Sequence, residues 1–328
     1  MSKVLILSAS DVKNLLSMRD VISAVEDAFR SHGRRTMKLA PITLTLIDKF
    51  EGEHEIKSGY VEDYSIGTKV LTYYKHNQSR YGLPALSGII VLHALEDGQV
   101  LAVMDAGYIT SVRTGAAGAL GAKYLARKNS ENVAVMGAGM QGRSQVAALN
   151  EVLGIKSVKV YDVDRQRAVD YVAEMTAKFD FKIEKADSPR MAIRDADIIV
   201  TATPSNSPHV LNEWIQAGVH ISAIGADSPG KQELDPAIVA RAKLVVDDMS
   251  QCVERGEIQT AIRLGLLGRQ DIHAELSEII LERKPGRAND KEITLFDATG
   301  LAIQDITTSY RAYRLAQERG IGTTCELS

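Results

Sequence analysis

The stretch VAVMGAGMQG, residues 133–142, decides the fold. A short apolar strand runs directly into a G-x-G-x-x-G motif, and the pattern of a helix begins inside that motif. Gly137 permits a tight turn, Gly139 lets the backbone approach a pyrophosphate, and Gly142 lets the helix pack closely on the strand. A phosphate would then lie at a helix N-terminus, where free N–H groups favour an anion. The stretch therefore predicts a dinucleotide-binding βαβ unit.

An acidic residue follows the next strand. Asp162 comes directly after the apolar run 158–161 and lies 25 residues beyond Gly137, close to the offset of about 20 residues expected of a ribose-binding acid. A carboxylate there accepts hydrogen bonds from the ribose hydroxyls and repels a 2′-phosphate, so NAD is the predicted cofactor. Arg165 and Arg167 keep NADP open as an alternative, and a plain turn aspartate is the other interpretation of Asp162.

The pattern around this unit predicts two domains. Apolar strands alternate with helices from residue 133 to residue 296, which favours a parallel sheet covered on both faces. Residues 42–104 contain short alternating runs and look strand-dominated. We therefore expect an α/β protein: a Rossmann-type doubly wound parallel sheet at 118–301, plus an α+β substrate and dimerisation domain formed from both chain ends, 1–117 with 302–328.

Two helices stand out in the predicted outer domain. Apolar residues recur at helical spacing over residues 8–35, which predicts one long helix there. Residues 110–127 are rich in alanine and predict another helix, with Arg113 in its first turn. The helix dipole disfavours a cation in that turn, so Arg113 indicates an anionic ligand, with a salt bridge to a neighbouring acid as the alternative.

Small or polar residues follow several of the predicted parallel strands. Ligands of doubly wound sheets bind beyond the carboxyl ends of the strands, so these residues predict a cofactor trough. They are Gly137 to Gln141, Asp162, Thr203-Pro204, Gly225 to Asp227, Asp247-Asp248 and Asp297 to Thr299. The pair Asp247-Asp248 is more typical of a helix cap or an edge turn.

Composition limits the classes of partner. The 328 residues are 45% hydrophobic, and 39 basic side chains nearly balance 42 acidic ones, which gives no electrostatic basis for binding nucleic acid or an anionic membrane. The two cysteines, Cys252 and Cys325, are far apart, and the histidines have no paired metal spacing. No apolar run reaches the roughly 18 residues of a membrane helix. We expect a cytoplasmic protein without a bound metal, whose partner is a small molecule.

Four sequence blocks occur in an order that resembles a known family. They are SVRTGAA at 111–117, GAGMQG at 137–142, GADSPGKQEL at 225–234 and FDATGLAIQD at 296–305. Together they resemble the ornithine cyclodeaminase and mu-crystallin family over essentially the whole chain. The last two blocks are most similar to archaeal-type alanine dehydrogenases, whereas AGYITSVRTGAAGA is more similar to the iminosuccinate reductase and ectoine-catabolism branches.

The resemblance implies roles for individual residues. Lys69 and Arg113 would hold a substrate carboxylate, Asp227 would be the catalytic acid with Lys69 as a second catalytic group, and Thr299 would lie beside the substrate. The family is also expected to form homodimers. Besides Gly137, Gly139 and Gly142, the residues implied to contact the dinucleotide are Thr114, Met140, Gln141, Asp162, Thr203, Lys231 and Ala298.

The chain departs from the family pattern in two places. Thr45 stands where ornithine cyclodeaminases carry a substrate-binding arginine, and Ile56 stands where they carry the acid that grips the far amino group of ornithine. The missing acid counts against ornithine as substrate. Lys57 is adjacent and is expected to supply a cationic contact to the substrate.

These observations predict an NAD(P)-dependent oxidoreductase that interconverts a small 2-oxo or 2-imino acid and the corresponding amino acid. Lysine and arginine fix a carboxylate well, and the cofactor carries the hydride chemistry. Lys69 lies in an otherwise apolar strand, where a lysine facing solvent is the alternative. Two other functions stay open: an ornithine cyclodeaminase-type ammonia lyase that uses NAD without net redox change, and a mu-crystallin-like binding protein without catalysis.

Overall fold

A computed structural model describes residues 2–327. The chain divides into two compact units, Met1–Arg113 with Leu301–Ser328 and Thr114–Gly300. The domain boundaries predicted from the sequence, after residues 117 and 301, stay a prediction. Among the described residues, no helix combines the length and the apolarity that a membrane crossing requires.

The first unit consists of a sheet of eight strands with helices beside it. Its strands are β1 (Ser2–Leu7), β2 (Met37–Leu39), β3 (Thr43–Ile47), β4 (Gly52–Val61), β5 (Ser65–Tyr74), β6 (Leu86–His93), β7 (Val100–Asp105) and β18 (Thr323–Leu327). Its helices are α1 (Ala9–Leu15), α2 (Met18–Arg34), α3 (Asn77–Tyr81), the beginning of α4 (Ala106–Leu125), α12 (Ala302–Arg319) and a 3₁₀ turn, Asp48–Phe50. The strand order is β18-β1-β7-β6-β5-β4-β2, with β3 also paired to β4.

The predicted helix over residues 8–35 is wrong in one respect, because the chain forms two helices there. Ser17 adopts an extended backbone and its hydroxyl accepts the N–H of Asp20, while the carboxylate of Asp20 accepts the N–H of Ser17. This capping box ends the first helix and starts the second.

One face of the sheet packs against α12, and we call it the helix-side face. Side chains alternate between the faces of a strand, and in β5 the buried set is Ser65, Gly67, Lys69 and Leu71. A Cβ on Gly67 would lie 2.5 Å from Cγ1 of Ile306, so glycine is what lets α12 approach β5. Lys69 is therefore buried beneath a helix, and the solvent-facing alternative for this lysine is wrong.

The second unit is built on a parallel sheet, also of eight strands. Its strands are β8 (Asn132–Met136), β9 (Ser157–Tyr161), β10 (Lys182–Lys185), β11 (Ile198–Thr201), β12 (Asn206–Val210), β13 (His220–Ala223), β14 (Gln232–Leu234), β15 (Lys243–Val246), β16 (Ala274–Glu275) and β17 (Thr294–Asp297). Its helices are the remainder of α4, α5 (Met140–Val152), α6 (Arg165–Thr176), α7 (Pro189–Ile193), α8 (Pro236–Arg241), α9 (Met249–Arg255), α10 (Gln259–Arg263) and α11 (Leu276–Ile280), with 3₁₀ turns at Asn212–Trp214 and Arg269–Asp271.

The order of these strands is that of a doubly wound sheet. Eight strands run β10-β9-β8-β11-β13-β17-β15-β16, all parallel, while β12 and β14 form a separate pair. Apolar clusters cover both faces. The order reverses between β8 and β11, and ligands of such sheets bind beside that switch point. The predicted fold class, a Rossmann-type parallel sheet with a second α+β part, is confirmed.

A partly buried aspartate ties together the amino ends of the central strands. Asp197, just before β11, accepts the N–H groups of Glu131 and Asn132 at 2.9 Å each, and it binds the guanidinium of Arg127. Burial opposes ionisation of this carboxyl, but the two N–H groups and Arg127 together hold its pKa below the ordinary value.

We expect Asp197→Ala to lower the free energy of unfolding by about 1–3 kcal/mol, because two partly buried N–H groups lose a charged acceptor. The carboxylate stabilises the fold at any pH above its ordinary pKa of about 3.9, and that contribution is lost as the pH falls through the lower pKa of the folded state. Urea unfolding at pH 7 and near pH 3 measures both effects. Asp180→Ala, at an exposed position, is the control; an equal effect of the two substitutions would contradict the assignment.

Candidate active site

The glycine-rich turn after β8 leaves room for a pyrophosphate. Gly137 has a φ of +104°, and a Cβ there would lie 2.5 Å from the carbonyl oxygen of Ala202. A Cβ on Gly142 would lie 2.3 Å from the carbonyl oxygen of Gly137, so the third glycine closes the turn onto α5. Apart from the two chain neighbours of Gly139, the N-cap of α5, no described residue has an atom within 4 Å of a Cβ position there. The turn therefore fits the backbone approach of a dinucleotide.

The first turn of α5 adds polar groups beside this space. Met140 is 52% exposed, and the side-chain oxygen of Gln141 is buried without a hydrogen-bond partner among the residues that the structure describes. Thr114 is buried in α4, where its carbonyl oxygen accepts a hydrogen bond from the Gln145 side chain at 2.9 Å. An unpaired buried acceptor is costly unless a ligand satisfies it, so Gln141 is consistent with a bound cofactor.

Asp162 lies at the end of β9 and contacts the glycine-rich turn. Its two carboxylate oxygens accept the N–H of Ala138 at 2.8 Å and the N–H of Asp164 at 2.9 Å. Asp162 therefore makes the hydrogen bonds of a turn aspartate. It also stands at the position expected of a ribose-binding acid. Arg165 and Arg167 are 80% and 64% exposed and lie 3.6 Å from the carboxylates of Asp187 and Asp164, respectively.

The ends of β11 and β13 are joined by a glutamate that sequence reasoning missed. Glu233 in β14 is buried, and it accepts the N–H and the hydroxyl of Thr203 at 2.7 Å each and the N–H of Gly225 at 2.9 Å. Burial raises the pKa of Glu233 to about 7, although the hydrogen bonds from Thr203 and Gly225 oppose the rise. The signal available in the sequence was an acid inside the short segment Gln232–Leu234. The structure shows that all three residues of this strand are buried.

Asp227 and Lys231 form an ion pair in the connection after β13. Lys231 Nζ lies 2.6 Å from Asp227 Oδ1, and the Asp227 side chain is 47% exposed. The side chain of Gln259 holds this connection, since its oxygen accepts the N–H of Gly230 and its amide donates to the carbonyl oxygen of Lys231. The predicted cofactor contact of Lys231 thus stays a prediction, and its observed partner is Asp227.

The end of β17 carries the remaining predicted residues of this unit. Ala298 and Thr299 are buried, and the hydroxyl of Thr299 donates to Asp247 at 3.2 Å. Burial raises the pKa of Asp247, whose carboxylate also accepts the N–H of Gly300 at 2.7 Å. Asp248 caps α9 by accepting the N–H groups at the start of that helix, so the structural interpretation of this acid is confirmed.

The first unit contains a buried cluster of charges. Lys69 Nζ lies 2.7 Å from Oδ2 of Asp305, and Arg113 Nε lies 3.0 Å from Oδ1 of the same carboxylate. Arg113 Nη1 donates to the side-chain oxygen of Gln304 at 3.0 Å. The exposed fractions of Lys69, Arg113 and Asp305 are only 2%, 5% and 1%. One carboxylate in α12 therefore orients both predicted carboxylate-binding residues.

Lysine stands opposite lysine at this cluster. The register of β4 and β5 pairs Lys57 directly with Lys69, so both side chains lie on the helix-side face, and Lys57 is also buried. Lys57 Nζ lies 3.5 Å from Glu55. Burial lowers the pKa of Lys69 to about 8, although the nearby Asp305 carboxylate acts to raise it. Burial acts to raise the pKa of Asp305, but the positive charges of Arg113 and Lys69 outweigh this effect and lower it.

Two details of the sequence prediction require correction. Helix α4 begins at Ala106, so Arg113 is its eighth residue and the dipole of a first turn does not act on it; the alternative, a salt bridge to an acid, is present. The register also pairs Thr45 with His54 and Ile56 with Val70, on the face opposite Lys69. Neither residue lies beside the cationic cluster.

Asp305 and Gln304 were missed as functional residues, although both lie in the quoted block that ends in LAIQD. The available signal was an acid on the apolar side of a helix, since Ala302, Ile303 and Ile306 are buried around Asp305. An acid in such a position needs a buried cation, and periodicity alone does not say which one.

Comparison with known proteins places the chain among enzymes of amino and imino acids. An alanine dehydrogenase of Archaeoglobus fulgidus is 41% identical over 321 residues, which cover 98% of both chains. The solved dimer of an archaeal alanine dehydrogenase with bound NAD is 39% identical, with all of both chains covered and a TM-score of 0.94. The structure of Thermococcus litoralis Δ1-pyrroline-2-carboxylate reductase with NADH and L-proline is 38% identical, with coverage of 98% and 99% and a TM-score of 0.95.

An iminosuccinate reductase of Paracoccus denitrificans is 31% identical, with coverage of 99% of this chain and 100% of that protein, so the predicted likeness to this branch is confirmed. The family model described as the ornithine cyclodeaminase/mu-crystallin family matches residues 2–319. The chain belongs to the ornithine cyclodeaminase/mu-crystallin family.

Proposed function

We propose that this protein reduces a small 2-imino acid, or a 2-oxo acid with ammonia, to the amino acid and catalyses the reverse oxidation, with NAD as cofactor. It is an oxidoreductase of amino or imino acids, as its relatives are. The observation that carries the substrate class is the buried cluster of Lys57, Lys69, Arg113 and Asp305, which holds more positive than negative charge.

The charge balance of this cluster favours an anionic ligand. Three cations face the carboxylates of Asp305 and Glu55. Two buried lysines directly opposite each other repel, and a buried net charge is costly, so a second carboxylate would stabilise the cluster. Arg113 offers a fork of donors of which Nε and Nη1 have protein partners, and a guanidinium binds a carboxylate through two parallel hydrogen bonds. We assign Lys69 and Arg113, assisted by Lys57, to the substrate carboxylate.

The second unit would hold the cofactor. Bound NADH supplies the hydride that reduces the imine carbon. The backbone at Gly137, Gly139 and Gly142 would accept the pyrophosphate, and Asp162 would accept the ribose hydroxyls, which favours NAD over NADP. The other proposed contacts are Thr114, Met140, Gln141, Thr203, Lys231 and Ala298.

Asp227 is the proposed proton carrier. Its carboxylate is half-exposed, and one of its oxygens binds the Lys231 ammonium. Such a group can take a proton from the amino nitrogen during oxidation and return it during reduction. Thr299, whose hydroxyl is held by Asp247, is proposed to lie beside the substrate.

The reductase is favoured over the two other candidate functions. Glu55, the acid on the face of Lys69, lies near Lys57, and a far amino group of ornithine would have to compete for that carboxylate. A binding protein without catalysis would not require Asp227. Release of ammonia from ornithine without net change of NAD would instead support the cyclodeaminase.

We also propose a homodimer formed through the outer face of the first unit's sheet, the face opposite α12. Strand register places Ile6, Val70, Ile89, Val91 and Val103 on this face. Ile6 and Ile89 are 37% and 46% exposed, and exposed apolar sheet surface marks an interaction site. A cytoplasmic location stays a prediction.

Substitution of the proposed catalytic groups should strongly reduce turnover while leaving cofactor binding intact. We expect Asp227→Asn and Lys69→Met to lower kcat/KM by about a hundredfold or more, because each removes a group that acts on the substrate. NADH fluorescence titration should give a Kd within about threefold of the wild-type value.

The exposed residues Asp180 and Lys182 give matched controls, Asp180→Asn and Lys182→Met. The panel of substrates to be assayed is pyruvate with ammonia, oxaloacetate with ammonia, and Δ1-pyrroline-2-carboxylate, each with NADH and with NADPH. The proposed function fails if the wild-type protein oxidises neither cofactor with any of them.

Binding of a 2-oxo acid should weaken as the pH rises through about 8. Lys69 carries its charge below its pKa of about 8 and loses it above, so attraction for the carboxylate is present at lower pH and declines at higher pH. Titration calorimetry of pyruvate into the protein with NAD, from pH 6.5 to 9.5, measures this dependence. Lys69→Arg should remove the decline and Asp305→Asn should move it to lower pH; a flat profile for the wild-type protein would contradict the role of Lys69.

The dimer proposal predicts that Ile89→Lys yields a monomer, because it places a charge in the apolar face. Light scattering coupled to size exclusion measures the mass. Leu46→Lys, a change of an exposed residue on the helix-side face, is the control. A wild-type protein that runs as a monomer, or an unchanged mass for Ile89→Lys, would overturn this interface.

A further inference from the structure

Glu233 has no part in the proposed chemistry, yet it is a buried acid with several hydrogen bonds at the carboxyl edge of the parallel sheet. It accepts three hydrogen bonds, two from Thr203 through Oε1 and one from Gly225 through Oε2. Thr203 follows β11 and Gly225 follows β13, so a single carboxylate joins the ends of two adjacent strands.

Gly225 shows independently how closely the Glu233 carboxylate approaches the backbone at the end of β13. A Cβ there would lie 2.3 Å from the carbonyl oxygen of Thr203 and 2.4 Å from Oε2 of Glu233. Only a residue without a side chain allows both contacts. The backbone at the end of β13 is therefore fitted to the Glu233 carboxylate, and Asp227 comes two residues later.

The backbone of Glu233 is itself held in place by a second glutamate. Glu257 accepts the backbone N–H groups of Glu233 and Leu234, at 3.0 and 2.7 Å to its Oε1, and so holds β14 in place. Nε2 of His209 lies 3.9 Å from Glu233 Oε1 on another side. Glu257 contacts neither Thr203 nor Gly225 in the described hydrogen bonds, so the two glutamates have different tasks.

We infer that Glu233 is a positioning residue for the proposed reaction: it fixes the connection that carries Asp227 relative to Thr203, the proposed cofactor contact. This inference rests on the proposed function. Glu233 touches neither substrate nor cofactor in this assignment. Its effect passes through Gly225 to Asp227, so its loss should lower kcat far more than it weakens NADH binding.

Glu233→Gln is the discriminating substitution. An amide keeps the size of the side chain but has one acceptor oxygen, so in either orientation its NH₂ group faces a backbone N–H, that of Thr203 or that of Gly225. We expect kcat to fall about tenfold or more, with the Kd for NADH changed less than about threefold. Gly225→Ala, which displaces the same contact from the other side, should reproduce this pattern if Glu233→Gln does not fold.

Glu257→Gln is the matched control, because one amide oxygen can accept both N–H groups that the carboxylate holds. A merely structural role of the acids predicts that the two Glu→Gln variants differ only in Tm and share the wild-type kcat. That result would overturn the inference.

Hydrogen exchange separates this inference from the proposed function. Measured on the protein without substrate, Glu233→Gln should accelerate exchange of the amides of Thr203 and Gly225 at least tenfold, whereas Glu257→Gln should not. If the wild-type protein turns over no panel substrate, the proposed function fails while exchange still tests the connection. Unchanged exchange at both amides in Glu233→Gln would overturn the positioning role.

Discussion

The carboxylate of Asp305 lies between Lys69 and Arg113, and burial of these three charges together is the constraint on which the first unit depends. Isolated, each charge would cost several kcal/mol to remove from water, and even a well-made buried ion pair is seldom more stable than an apolar replacement. The cluster also requires Gly67, because any side chain there would push α12 away from β5. Such an arrangement is poorly explained by stability alone, which supports the proposed binding of an anion.

Carboxylates that accept backbone N–H groups organise the second unit in a different way. Asp197 accepts backbone N–H groups at the amino ends of the strands, while Glu233 and Asp247 accept them at the carboxyl ends. Acids at the carboxyl edge have few cations around them, so burial raises their pKa values. They fix backbone connections rather than neutralise charge. The loops that carry the proposed cofactor contacts are thus held by hydrogen bonds to side chains from neighbouring segments.

The parallel sheet and the glycine-rich turn were predictable from the sequence, because both depend on local patterns: apolar runs, helical spacing and glycines at fixed offsets. Lys69, Arg113 and Asp227 could be singled out in the same way, with the family resemblance supplying their roles. The partners of Lys69 and Arg113 were not predictable, whereas Lys231, the partner of Asp227, is only four residues away. Asp305 lies 192 residues from Arg113 in the chain, and only the packing of α12 on the sheet brings them together. Two further details were also not predictable: the residue at which α4 begins, Ala106, and the face of the sheet on which Ile56 lies. The face depends on how the strands pair, and an alternating sequence pattern leaves that pairing open by one residue.

The proposed recognition of the substrate's carboxylate is separable from the selection of the substrate's side chain. Every substrate of the proposed class carries a carboxylate next to the reacting carbon, so the proposed role of Lys57, Lys69 and Arg113 is the same for all of them. Relatives named for alanine, pyrroline-2-carboxylate and iminosuccinate match the whole chain at 41%, 33% and 31% identity, and none of these values by itself assigns a substrate. Selection must come from groups that meet the substrate's side chain. Glu55, which lies on the helix-side face with its carboxylate 3.5 Å from Lys57 Nζ, is proposed as one such group.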